Sequence, residues 1–139
     1  MINENRIKHI FAVARLMKDY SIEKFDIEYA KQMFTLGLLH DIGYEFGDNK
    51  THPIIGGEML QNQNYKYYNE IKYHGSIDCE YSSFELDLLN WADMHINGCG
   101  EKVSYEERLS DIKNRYGEES GTYRNARILI DKLIEKGFN

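Results

Sequence analysis

Apolar residues recur along most of this chain at intervals of three and four, and only one proline, Pro53, interrupts the pattern. That spacing is the period of an amphipathic helix, and a sandwich of short strands would need frequent turn punctuation instead. The first segment, about Asn3 to Tyr20, carries Ile7, Ile10, Phe11, Ala14 and Met17 at helical spacing, with His9, Val13 and Leu16 on an adjoining stripe. Asp26 is placed to cap a second helix through Ala30, Met33, Phe34, Gly37 and Leu38. That helix is apolar nearly all round from Phe34 to Leu39, as a central core helix would be, and it runs into His40-Asp41.

Gly43 to Thr51 reads as a loop, and Pro53 suits the first turn of a third helix with Thr51 or His52 near its cap. Gly56 and Gly57 lower helix propensity there by about 1 kcal/mol each, which implies close packing against a neighbour. A short helix is expected over Tyr65 to Tyr73, stopping at His74-Gly75. Ser82 with Glu85, and Ser104 with Glu107, have capping-box spacing for two further helices. The last helix carries Ala126, Leu129, Ile130, Leu133 and Ile134. The expectation is one all-α domain of about seven helices over residues 1–139, with no internal repeat or linker.

Charge narrows the partners. A formal net charge of −6 is the wrong sign for a surface that grips a nucleic-acid backbone. A small anionic substrate stays compatible, because a bound metal supplies positive charge locally. Cys79 and Cys99 lack the paired spacing of a zinc knuckle or redox dithiol and read as reduced thiols. The apolar stretches are far shorter than the roughly 20 residues a membrane span needs, and the expected setting is cytoplasmic. A second copy of the chain is a further candidate partner, given the aromatic content of 13%.

The placement of the histidines is the most informative feature for function. His9 lies on the first helix, His40-Asp41 ends the second, His52 starts the third and His74 ends the fourth. Asp93 sits between Ala92 and Met94 on the fifth. A single histidine beside an apolar face is more often a hydrogen-bonded core residue than a ligand. Several buried imidazoles and carboxylates in one small core are explained together by a metal, which offsets their desolvation and fixes their protonation. Imidazole and carboxylate without thiolate suit Mn, Fe, Ni or Zn at a catalytic site, not a closed structural zinc site.

In that order and context, the segments Leu36-Gly37-Leu38-Leu39-His40-Asp41-Ile42-Gly43 and Thr51-His52-Pro53-Ile54-Ile55-Gly56-Gly57-Glu58-Met59-Leu60 resemble the HD superfamily of metal-dependent phosphohydrolases. The resemblance runs from about Ile7 to Met94. Glu107-Arg108-Leu109 and Arg115-Tyr116-Gly117 resemble small stand-alone bacterial members. The resemblance implies His9, His40, Asp41 and Asp93 as ligands of a first divalent ion. It implies His52 and His74 as added ligands of a second, with Asp41 bridging. Where some two-metal members carry a His-His pair, this chain has His74-Gly75, closer to the diadenosine tetraphosphate hydrolase branch than to the cyclic-dinucleotide branch.

The implied activity is hydrolysis of a nucleotide or other small phosphate ester by water activated at one or two ions. The alternatives are a di-iron oxygenase on the same ligand set and a non-catalytic metal-binding module. Asp41 would orient the ions, Glu45 and Asp48 are candidates for protonating the leaving group, and Lys50 and Lys72 are candidates for clamping phosphate. His95 falls outside the ligand set, since it points about 200° away from Asp93 on a continuing helix. Arg108 and Arg115 are candidates for binding phosphate or, more simply, for pairing with acids on a solvated helix face.

Overall fold

The computed structural model describes residues 1–139 and consists of helices with almost no strand. In chain order they are α1 (Glu4–Lys24), α2 (Ile27–Leu39), a 3-10 turn (Ile42–Glu45), α3 (His52–Asn62), α4 (Tyr68–Tyr73), α5 (Phe84–Asp93), α6 (Tyr105–Tyr116) and α7 (Gly121–Glu135). The all-α expectation of seven helices holds. No helix is long and apolar enough to cross a membrane.

Local sequence chemistry sets most helix starts. The Asn3, Asp26 and Ser120 side chains each accept a backbone N–H from the first turn of α1, α2 and α7. Ser104 and Glu107 form the expected capping box on α6. On α5 the cap is Ser83, not Ser82: its hydroxyl accepts the Leu86 N–H, while Glu85 is engaged by the Tyr29 hydroxyl. The expected fourth helix is shorter too, because Tyr65 to Tyr67 turn before α4 begins at Tyr68.

On α1 the buried stripe is His9, Ile10, Val13, Ala14, Met17 and Ser21. Ile7 and Phe11, expected on that stripe, are nearly half exposed, since they lie on the order of 100° around the helix from its centre. The correction moves His9 from the edge of the core into it.

Two clusters of apolar side chains fill the interior. The larger joins α1 to α5 through Met17, Met33, Leu36, Ile71, Leu88 and Leu89. The smaller joins α6 and α7 to the end of α5 through Met94, Leu109, Ile112, Ala126 and Leu133. Trp91 and Phe138 pack against both. Two glycines let neighbouring backbones approach. A Cβ on Gly37 would lie 2.5 Å from the Ala14 Cα, so α1 and α2 touch backbone to backbone. A Cβ on Gly57 would lie 2.6 Å from the Lys72 Cα, which draws α3 onto α4 as the paired glycines implied. A third, at Gly43, where a Cβ would meet the His52 carbonyl, brings the turn after α2 onto the start of α3.

Candidate metal centre

Each candidate ligand owes its orientation to a local backbone partner. The last turn of a helix leaves carbonyls without an N–H, and a histidine at that point can satisfy one with its own ring. His40 follows α2 and its Nδ1 donates to the Gly37 carbonyl at 2.7 Å; His74 follows α4 and donates in the same way to Ile71 at 2.6 Å. His52 opens α3 and turns its Nδ1 to the Asp48 and Asn49 carbonyls. His9, in mid-helix, donates to the Asn97 carbonyl, which the turn after Asp93 brings over α1.

Because carbonyls only accept, every Nδ1 carries the hydrogen. In a neutral imidazole that leaves Nε2 as the lone-pair atom, and all four Nε2 atoms point to one place. His9 Nε2 lies 2.7 Å from Asp93 Oδ1 and 3.7 Å from Asp41 Oδ2. His40 Nε2 lies 3.3 Å from Asp41 Oδ2 and 3.5 Å from Asp93 Oδ1. On the other side, His52 and His74 Nε2 lie 3.3 and 3.4 Å from Asp41 Oδ1. The two oxygens of Asp41 thus face separate imidazole pairs.

All six residues, His9, His40, Asp41, His52, His74 and Asp93, come together. The four rings and Asp41 are buried, and the Asp93 side chain, 18% exposed, opens toward solvent.

Two features of this cluster are ones that a cation could relieve. His40 Nε2 is buried with no hydrogen-bond partner. His52 Nε2 and His74 Nε2 face each other at 3.1 Å, where two lone pairs would repel. A proton or a metal ion resolves both. Among the protein's own groups, burial would push His40 down, yet the Asp41 and Asp93 carboxylates override it and carry the imidazole up to about 10. Burial likewise opposes ionisation of Asp41, but the neighbouring His40 holds its carboxyl well below the ordinary range. A nitrogen and oxygen donor set of this kind fits one or two divalent transition ions.

The cluster forms part of the floor of a cleft of about 880 Å³, a volume that fits a small organic ligand. Lys50 and Lys72 line it. Glu45 and Asp48 do not. Glu45 accepts the Ile2 N–H, and Asp48 closes its own turn by accepting from Lys50 and Thr51. Those hydrogen bonds, chiefly from Thr51, lower the Asp48 carboxyl, which disfavours the protonated form a general acid needs. His95 lies apart, its ring against Tyr105 and its Nδ1 on the Trp91 carbonyl.

The sequence reading missed two contributors. Arg6 donates to Asp41 Oδ2 at 2.9 Å, and its guanidinium lies 4.0 Å from the centre of the Tyr44 ring. Tyr44 in turn stacks on His52 at 3.8 Å. Arg6 sits one turn before His9 on α1, so i, i+3 spacing from a ligand was the available signal. Tyr44 had no such signal. No protein-family model, curated protein or solved structure matches this chain.

Proposed function

We propose that this chain is a metal-dependent phosphohydrolase of the HD type, acting on a nucleotide or other small phosphate ester. The observation that carries the reading is the convergence of four Nδ1-anchored imidazoles on the two sides of one buried carboxylate, at the floor of a cleft lined by basic residues. Iron, manganese, nickel or zinc bound there would supply Lewis acidity to activate water and positive charge to offset the phosphoryl oxygens.

The chain's own groups do the rest. Asp41 presents one oxygen to His9 and His40 and the other to His52 and His74, which makes it the central orienting group. Arg6 fixes the Asp41 carboxylate by a charge-assisted hydrogen bond and is itself held on the Tyr44 ring. Lys72, half-buried at the end of α4, and Lys50, exposed after the 3-10 turn, supply point charges for phosphate oxygens. A cytoplasmic setting accords with the two free cysteines.

The test is metal content per chain by mass spectrometry, on protein purified without chelator or an affinity-column metal, followed by a phosphate-ester screen. One or two transition ions per chain, lost in Asp41→Ala together with turnover, support the reading. Turnover retained by Asp41→Ala would sink it. Dioxygen consumption with iron alone, and no ester cleavage with any ion, would replace hydrolysis by oxygenase chemistry.

A further inference from the structure

The cleft has two unlike walls. One carries the ligand cluster with Arg6, Lys50 and Lys72, and the segment after His74 adds one acid, Asp78. The other is built by α6 and α7 and is neutral along Ile112, Ser120, Thr122, Asn125 and Leu129, with a single charge, Arg108. Arg108 is partly buried, and its Nε is sealed from solvent without a hydrogen-bond partner. No carboxylate lies within salt-bridge distance of it, in a chain with 23 acidic residues against 17 basic ones. The acid partner expected for Arg108 is therefore missing, although α6 carries Glu106, Glu107 and Asp111.

Leaving a guanidinium nitrogen sealed and unpaired costs free energy, because it has given up water without gaining an acceptor. With Nε enclosed, the terminal guanidinium nitrogens are the donors left for an oxyanion in the cleft that Arg108 lines.

We propose that Arg108 is a second anion subsite, so that the substrate carries two anionic groups: a phosphate ester at the ligand cluster and a further phosphate or carboxylate on Arg108. This deepens the phosphohydrolase reading and rests on it. Arg108 then acts in binding and selection, holding the far end of the substrate while the scissile phosphate sits against Asp41 and the lysines. Substrates with one anionic end would bind only half of the cleft.

The test uses the metal-loaded protein and titration calorimetry. The probes are alkyl monophosphonates, α,ω-alkyl bisphosphonates and ω-carboxyalkyl phosphonates of increasing chain length. At the length that spans the cleft, a doubly anionic probe is expected to bind at least tenfold tighter than the monophosphonate of the same length. Arg108→Gln should remove that advantage, losing at least tenfold more affinity for the doubly anionic probe than for the monophosphonate. Arg108→Lys, which keeps the charge, should retain part of it and serves as the readout if Arg108→Gln does not fold. Comparing the bisphosphonate with the carboxylate series identifies which second anion is preferred. If monophosphonates bind and no second anion helps at any length, or if the advantage survives Arg108→Gln, the subsite is refuted while the hydrolase reading stands. If no phosphonate binds the metal-loaded protein at all, both fall together.

Discussion

At the scale of single residues, the ring nitrogens divide their labour. Each Nδ1 is spent on a backbone carbonyl and each Nε2 is left for the cluster, so the backbone selects the tautomer that a ligand needs. This has a consequence for protons. His40 is raised from its ordinary 6.5 to about 10, while Asp41 and Asp93 are held well below 3.8. In chelator-treated protein the His40 contribution to stability is therefore fully present below about pH 6.5 and is lost as the pH rises toward 10. The carboxylate contribution is present above about pH 4 and is lost as the pH falls through their lowered values. A metal bound at the proposed site would have to displace the His40 proton, so uptake between pH 7 and 9 is expected to release about one proton per chain and to weaken as the solution is acidified. Calorimetry in two buffers of different ionisation enthalpy measures this, and identical heats in both would contradict it.

At the scale of elements, the site depends on how closely the helices approach. Residue His40 reaches His9 only because α2 lies backbone to backbone on α1 at Gly37 and Ala14. Gly37→Ala gains up to about 1 kcal/mol of helix propensity but inserts a methyl 2.5 Å from the Ala14 Cα. Neither partner at this contact is a flexible side-chain end, so overpacking wins. A net loss of roughly 1–3 kcal/mol is expected, read by denaturant unfolding, with reduced metal content from the displaced His40. An unchanged midpoint would show that the crossing is looser than drawn. The segment between α4 and α5 is fixed in another way. The buried Glu70 accepts hydrogen bonds from Tyr81 at 2.5 Å and Ser83 at 2.6 Å, and Asn90 accepts the Gly75 N–H. Lys132 reaches from α7 to the Ile77 carbonyl. His74 thus sits at the start of a tethered strap.

At the scale of the molecule, the six candidate ligands come from α1, α3, α5 and the ends of α2 and α4, so an ion bound by them would cross-link elements far apart in sequence. Anything that binds the folded state alone stabilises it by mass action. With free Mn or Ni at about 100 times the dissociation constant, the gain is about 2.7 kcal/mol. For a domain of this size that raises the melting temperature by roughly 8–10 °C. Differential scanning calorimetry on chelated and reloaded protein checks it, and coincident transitions with metal demonstrably bound would separate the site from folding.

Helix content and the caps at Asp26 and Ser104 were legible in the sequence, because they follow from local period and local hydrogen bonding. Asp26 and Ser104 cap as their neighbours dictate, and His40 and His74 sit at helix ends where a ring can satisfy an orphan carbonyl. Where two adjacent serines competed, at Ser82 and Ser83, local pattern could not choose. Tertiary contact chose, through Glu70 and the Tyr29–Glu85 bond. The same limit explains Ile7 and Phe11, whose apolar character placed them on a buried face that no neighbouring helix covers. It explains Glu45 and Asp48 too, since an acid near a ligand in sequence can point to a chain terminus or its own turn. Arg6 on Asp41, Tyr44 on His52 and Arg108 across the cleft were decided only by the three-dimensional packing. Spacing along the chain records which residues share one helix face; it carries no record of which faces meet.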